Sequence, residues 1–89
     1  MHGGIIAALL DEAMSYASLF AGLDTVTAKM EMRIRCPIPI GEPLSITGNI
    51  AKKTRKLVEA KAAISLKDGT IAAEAISTQF VFGSKEGES

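Results

Sequence analysis

The 89-residue chain contains a single cysteine, Cys36, a single histidine, His2, and no net charge. One cysteine excludes an internal disulfide and any C-x-x-C metal knuckle, which fits a reducing compartment. One histidine, with no cysteine near it in sequence, leaves no materials for a catalytic triad or for a Cys/His/Asp metal site. Ten basic residues balance ten acidic ones, so nothing global points to nucleic acid, a membrane surface or an acidic partner. No uninterrupted apolar run approaches the ~20 residues of a membrane span. The stretch from Met1 to Leu10 lacks the basic region of a signal peptide, and Asp11-Glu12 breaks its apolar run. The expectation is a cytoplasmic protein without metal or redox cofactor, and no internal repeat is present.

A chain of this length is one small domain, burying only roughly 60% of the surface that its unfolded form exposes. Such a chain is marginal alone, so a homo-oligomer is expected, either a dimer or a dimer of dimers.

What the chain does have is concentrated in its first two dozen residues. From Ile5 to Ala21 nearly every position is apolar or small, with Asp11, Glu12, Ser15 and Ser18 as polar exceptions. The pattern predicts a helix over about 5–20, buried on most of its circumference, with Gly22 as its C-terminal cap. Asp11, Ser15 and Ser18 stand at i, i+4 and i+7 and should form one polar stripe. A buried carboxylate costs several kcal/mol unless it is paired, hydrogen-bonded or used, so Asp11 requires a role. Gly3 and Gly4 come just before the periodic segment, where a helix presents N–H groups without internal partners and a partial positive charge. Glycine there lets a ligand oxygen approach the backbone.

Four strands follow. Val26, Ala28, Met30, Met32, Ile34 and Cys36 alternate with Thr27, Lys29, Glu31, Arg33 and Arg35, predicting a half-buried strand over about 25–36 with the first set inward. Three prolines between Pro37 and Pro43 cannot continue a ladder and mark a connection. Strands are expected over about 44–53, 57–67 and 71–82, with a polar turn at Thr54-Arg55-Lys56 and a type I′ hairpin at Asp68-Gly69. The last strand carries apolar residues on both faces, which suits the middle of a sheet or a subunit contact. The domain spans 1–83, and 84–89 reads as a flexible tail.

Gly3 and Asp11 lie ~12 Å apart along a helix axis at 1.5 Å per residue. A single ester or thioester carbonyl cannot touch both. If both serve catalysis, donors from one helix must meet the carboxylate of a second, antiparallel helix, which predicts a two-fold dimer with two composite sites.

His2-Gly3-Gly4, with Asp11 nine places after the histidine, followed by a long alternating strand and three more, resembles the hotdog-fold acyl-CoA thioesterases. It is most similar to the PaaI-like branch of the 4-hydroxybenzoyl-CoA thioesterase superfamily, over roughly His2 to Phe82. The resemblance implies an α+β hotdog fold in which an antiparallel sheet wraps one long central helix. It implies that Asp11 is general base or nucleophile, that the Gly3 N–H polarises the thioester carbonyl, and that His2 shapes that pocket. Thr27, in the place of a hydroxyl that helps hold water, completes the catalytic candidates. Gly4 and Ser15 are candidates for contacting substrate, and Lys53, Arg55 and Lys56 for the phosphates of coenzyme A. Members of this family normally carry a helix and a first strand before H-G-G, often with an asparagine as second oxyanion contact. Their lack here implies a truncated or minimal variant, with an exposed sheet edge.

Each of these residues also has a plainer reading. Asp11 could reach solvent or cap a neighbour; Gly3 and Gly4 could be an ordinary helix start, and His2 a frayed end. Glu12 suits a solvated neighbour, and Ser15 and Ser18 suit back-bonding to the helix. The basic cluster from Lys52 to Lys56 suits a solvated turn. Met14, Met30 and Met32 suit core filler. Two rival functions use the same fold: a non-catalytic acyl-CoA-binding protein and an inactive fragment. A hotdog dehydratase is disfavoured, because no histidine follows Asp11.

Overall fold

A computed structural model of the chain describes residues 3–39 and 41–84. Helix α1 (Gly3–Phe20) precedes strands β1 (Leu23–Ile34), β2 (Ser45–Lys53), β3 (Leu57–Ser65) and β4 (Ile71–Ser84). The strands form one antiparallel sheet in the order β1-β4-β3-β2. With α1 laid across one face of that sheet, this is the expected α+β hotdog arrangement. Ser84 closes β4 rather than opening a tail, and the remainder of the expected tail, 85–89, lies outside the described residues.

The helix begins two residues earlier than its apolar period suggested, so Gly3 and Gly4 form its first turn. It ends as expected: Gly22 adopts φ +82° and its N–H reaches the Leu19 carbonyl at 2.9 Å. Ile6, Leu10 and Met14, one turn apart, are buried, and they pack on the small side chains Ala60, Ala62, Ala73 and Ala75 together with Ile64 and Ile38. Small residues let the helix settle close to the sheet. The helix also comes close at Gly48 of β2, where an added Cβ would stand 2.4 Å from the Ala13 carbonyl oxygen. Gly48→Ala is therefore expected to push α1 off β2 and destabilise the fold by about 1–3 kcal/mol, as overpacking does. A urea titration of parent and variant would measure it, and equal midpoints would show that the helix has room to move.

One expectation about the helix is corrected. Ile5, Tyr16, Leu19 and Phe20 are 54%, 50%, 47% and 85% exposed, so a single chain covers one side of α1 rather than most of its circumference. A four-stranded sheet touches only the stripe that faces it.

A second correction concerns β1. Its pairing with β4 shifts register between Thr27 and Lys29, a bulge at Ala28. Because side chains alternate with period two, one extra residue exchanges the faces on either side of it. Met30 remains packed against the core, but Val26 is 54% exposed, and Thr25 and Thr27 take the helix-facing positions instead. The strand also stops at Ile34, because the Arg35 and Cys36 N–H groups both turn to the Ala72 carbonyl.

The β3–β4 hairpin differs in type. Gly69 has φ +92° while no described non-glycine residue has positive φ, so Asp68 cannot complete a type I′ turn. Instead the Gly69 N–H bonds to the Leu66 carbonyl at 2.9 Å and the Leu66 N–H to the Thr70 carbonyl at 2.8 Å. This is a type I turn closed by a left-handed glycine, the three-residue alternative. The Asp68 carboxylate accepts the Thr70 N–H at 2.9 Å, and that bond holds its pKa below the ordinary value.

Candidate functional site

Asp11 lies midway along α1 and is half-buried against β1. The Thr27 hydroxyl donates to Asp11 Oδ1 at 3.2 Å, so the helix carboxylate and the strand threonine are brought together across 16 positions of sequence. Thr27 reaches Asp11 because the bulge at Ala28 sets its side chain toward the helix; a regular strand in phase with Met30 would have turned it away. A carboxylate has two oxygens, and a hydroxyl on one leaves the other able to hold and deprotonate a water.

The expected polar stripe splits. Ser15 is exposed, whereas Ser18, seven residues beyond Asp11, is buried against the sheet. Ser18 does not back-bond; its hydroxyl donates to Gln79 Oε1 of β4 at 2.5 Å. The same oxygen accepts the Thr25 hydroxyl at 2.9 Å, and Gln79 Nε2 donates to Ser77 Oγ at 3.1 Å. Among the described residues no buried side-chain nitrogen or oxygen lacks a partner. Thr25, Ser77 and Gln79 escaped the sequence reading. The signal was present: Ser77 and Gln79 continue the period-two row of Ala73 and Ala75, so two polar groups stand where the core row should be apolar.

Gly3 and Gly4 are at the opposite end of α1 from Ser18, ~22 Å away along the axis. The basic turn lies at the Ser18 end, since Lys53 pairs with Val58 and Val58 pairs with Gln79. Lys53, Arg55 and Lys56 are exposed there, with the Lys56 carbonyl accepting the Val81 N–H at 2.8 Å. One chain thus unites Asp11 and Thr27 but brings neither the glycines nor the basic turn to them. His2 lies outside the described residues. Glu12 is exposed beside a shallow apolar groove between α1 and β2, lined by Leu9, Tyr16, Phe20 and Ile46. Among the described residues no acidic, histidine and cysteine cluster could hold a metal, and no helix is long and apolar enough to cross a membrane.

A family model described as the thioesterase superfamily matches residues 1–73. No curated protein matches. Among solved structures, a hypothetical thioesterase from Streptococcus pneumoniae with coenzyme A is 25% identical, with TM-score 0.91 over 96% of this chain and 66% of that one. A Streptococcus mutans protein bound to acetyl CoA is 26% identical, with TM-score 0.90 over 96% of this chain and 68% of that one. Zebrafish thioesterase superfamily member 2 is 27% identical, with TM-score 0.86 over 91% of this chain and 61% of that one. The chain thus spans about two thirds of the length of these relatives.

Proposed function

We propose, from the premise that this chain belongs to the thioesterase superfamily, that it hydrolyses an acyl-CoA thioester to the free acid and coenzyme A. The observation that carries this reading is the Asp11–Thr27 pair: a half-buried helix carboxylate held by one strand hydroxyl. The coenzyme A and acetyl CoA of the streptococcal structures support the substrate class. Alanine variants of the Streptococcus pneumoniae protein have been crystallised at an aspartate and a threonine that stand sixteen positions apart, the separation of Asp11 and Thr27 here. The H-G-G run with its following aspartate favours the PaaI-like branch, and a cytoplasmic setting goes with that reading.

In the proposed reaction, Asp11 takes a proton from a water that the Thr27 hydroxyl helps to hold. The water oxygen bonds to the thioester carbon, and the carbonyl oxygen acquires the charge. Collapse of that intermediate breaks the carbon–sulfur bond and releases the thiolate of coenzyme A, to which the proton passes. A thiolate leaves readily, so no strong general acid is required.

The oxyanion is stabilised by the Gly3 N–H at the positive end of a helix. Since that end of the same helix is ~12 Å from Asp11, the donor comes from a second copy. The outer edge of β1 pairs with no strand among the described residues, and Asp11 lies beside it. A two-fold partner set against that edge, its helix antiparallel, carries its own glycines toward Asp11. The exposed apolar side of α1 gives the assembly more surface to bury. His2 and Gly4 shape the carbonyl pocket, Ser15 faces the substrate, and Lys53, Arg55 and Lys56 meet the phosphates of coenzyme A.

Release of free thiol from a panel of aryl and fatty acyl-CoAs tests the reading, and binding without release by any of them would favour the non-catalytic rival. Thr27→Val, which keeps shape and loses the hydroxyl, is expected to lower kcat by about 10-fold with KM nearly unchanged, within the range of a positioned hydrogen bond. Steady-state kinetics of that variant would check it, and parental kcat would remove Thr27 from the site.

A further inference from the structure

Gln79 is fully buried, so substrate does not touch it, but its amide ties together the elements that carry the Asp11 pair. Its Oε1 accepts one hydroxyl from the helix, Ser18, and one from β1, Thr25. Ser18 follows Asp11 by seven residues along the helix, and Thr25 precedes Thr27 by two, on the same side of β1. Thr27 itself stands directly across from Gln79 in the β1–β4 register. On the other side of Thr27 the bulge at Ala28 interrupts the ladder, so regular strand pairing does not fix Thr27 from both sides.

We infer that Gln79 is a positioning residue: it sets the approach of α1 to β1 and thereby holds the Thr27 hydroxyl against the Asp11 carboxylate. This rests on the proposed role of Asp11 as the base. An amide suits the task because its oxygen has two lone pairs, one for each element, and it carries no charge that burial would penalise. Serving the three hydroxyl groups at once, it also keeps the Ser18 and Ser77 oxygens satisfied in a buried place.

The test uses Gln79→Met, Thr25→Val and Thr25→Ser, each alone and with Thr27→Val. Gln79→Met and Thr25→Val are expected to lower kcat by about 10-fold with KM within about 2-fold, since small misplacements of reacting groups can cost up to ~100-fold. Thr25→Ser keeps the hydroxyl and should restore the parental rate. In the Thr27→Val background neither loss should recur, because coupled residues are non-additive. Additive losses there, or Thr25→Ser as slow as Thr25→Val, would overturn the inference. Thr25 is only half-buried, so its variants report even if Gln79→Met does not fold.

Carbon-13 signals of the Asp11 carboxyl and the Thr27 methyl read the same geometry without turnover. They are expected to move in Gln79→Met and Thr25→Val but not in Thr25→Ser. If they move so while Asp11→Asn retains full activity, the base assignment fails and the bridge stands. If they stay in place, the bridge fails whatever the kinetics.

Discussion

Asp11→Asn is expected to lower kcat for acyl-CoA hydrolysis by about 10²- to 10⁴-fold, the range that a positioned general base contributes. The substitution isolates the chemistry from the fold. Asparagine has nearly the shape of aspartate, and its side-chain carbonyl can still accept the Thr27 hydroxyl that now bonds Asp11 at 3.2 Å. What it loses is the ability to take a proton from water. KM should change little, because an interaction used only in the transition state leaves ground-state binding alone. Parallel measurement of acyl-CoA binding and thiol release decides between enzyme and binder. Retained binding with lost turnover fits the proposed base, whereas turnover at the parental rate would end that mechanism.

The prominence of Asp11 was readable from sequence, because a carboxylate in an otherwise apolar helix has no cheap structural explanation. The helix and the four strands followed from periodicity in the same way, whereas the apolar residues on both faces of the last strand suited either a subunit contact or the interior of the sheet, where β4 lies. Thr27 shows where that reasoning stops. A strict period of two put Val26 inward and Thr27 outward, and the bulge at Ala28 exchanged them. A bulge inserts one residue without changing local composition, so alternation alone gives no warning of it. The hairpin at Asp68-Gly69 fails for a related reason: the same two residues serve a two-residue I′ turn or a three-residue turn, and only the φ of Asp68 separates them.

Gln79 is a different case. Its neighbours Phe80, Val81 and Phe82 dominate the hydropathy of β4, although Phe80 and Phe82 are 52% and 71% exposed and Gln79 is fully buried. Residue type mis-ranks burial here because the inner face at that end is built around hydrogen bonds. Ser18 supplies the matching group on the helix, and neither polar residue makes sense without the other. Pairing of this kind is long-range, across 61 positions, and no local pattern encodes it.

Gly3→Pro should reduce kcat by about 10²- to 10³-fold, as loss of one oxyanion donor does, and its combination with Asp11→Asn separates a shared site from a self-contained one. Proline removes the N–H while fitting the first turn of a helix, where no internal partner is lost. Gly3 is the first residue of α1, so the fold should tolerate the change. In a composite dimer the two variants damage opposite contributions. A mixed dimer then holds one site with both defects and one with neither, the intact site taking Asp11 from the Gly3→Pro subunit and Gly3 from the Asp11→Asn subunit. Random exchange of equal amounts makes about half of the dimers mixed, each with one of two sites restored, so activity should return to about a quarter of the parental value. A self-contained site gives no recovery at any ratio, because each subunit carries its own defect. Light scattering on the same mixture supplies the second condition: a chain that remains monomeric at micromolar concentration cannot assemble the shared site. Recovery near a quarter in a dimeric sample would place the Gly3 donor and the Asp11 base on different subunits, as the ~12 Å between them on one helix requires.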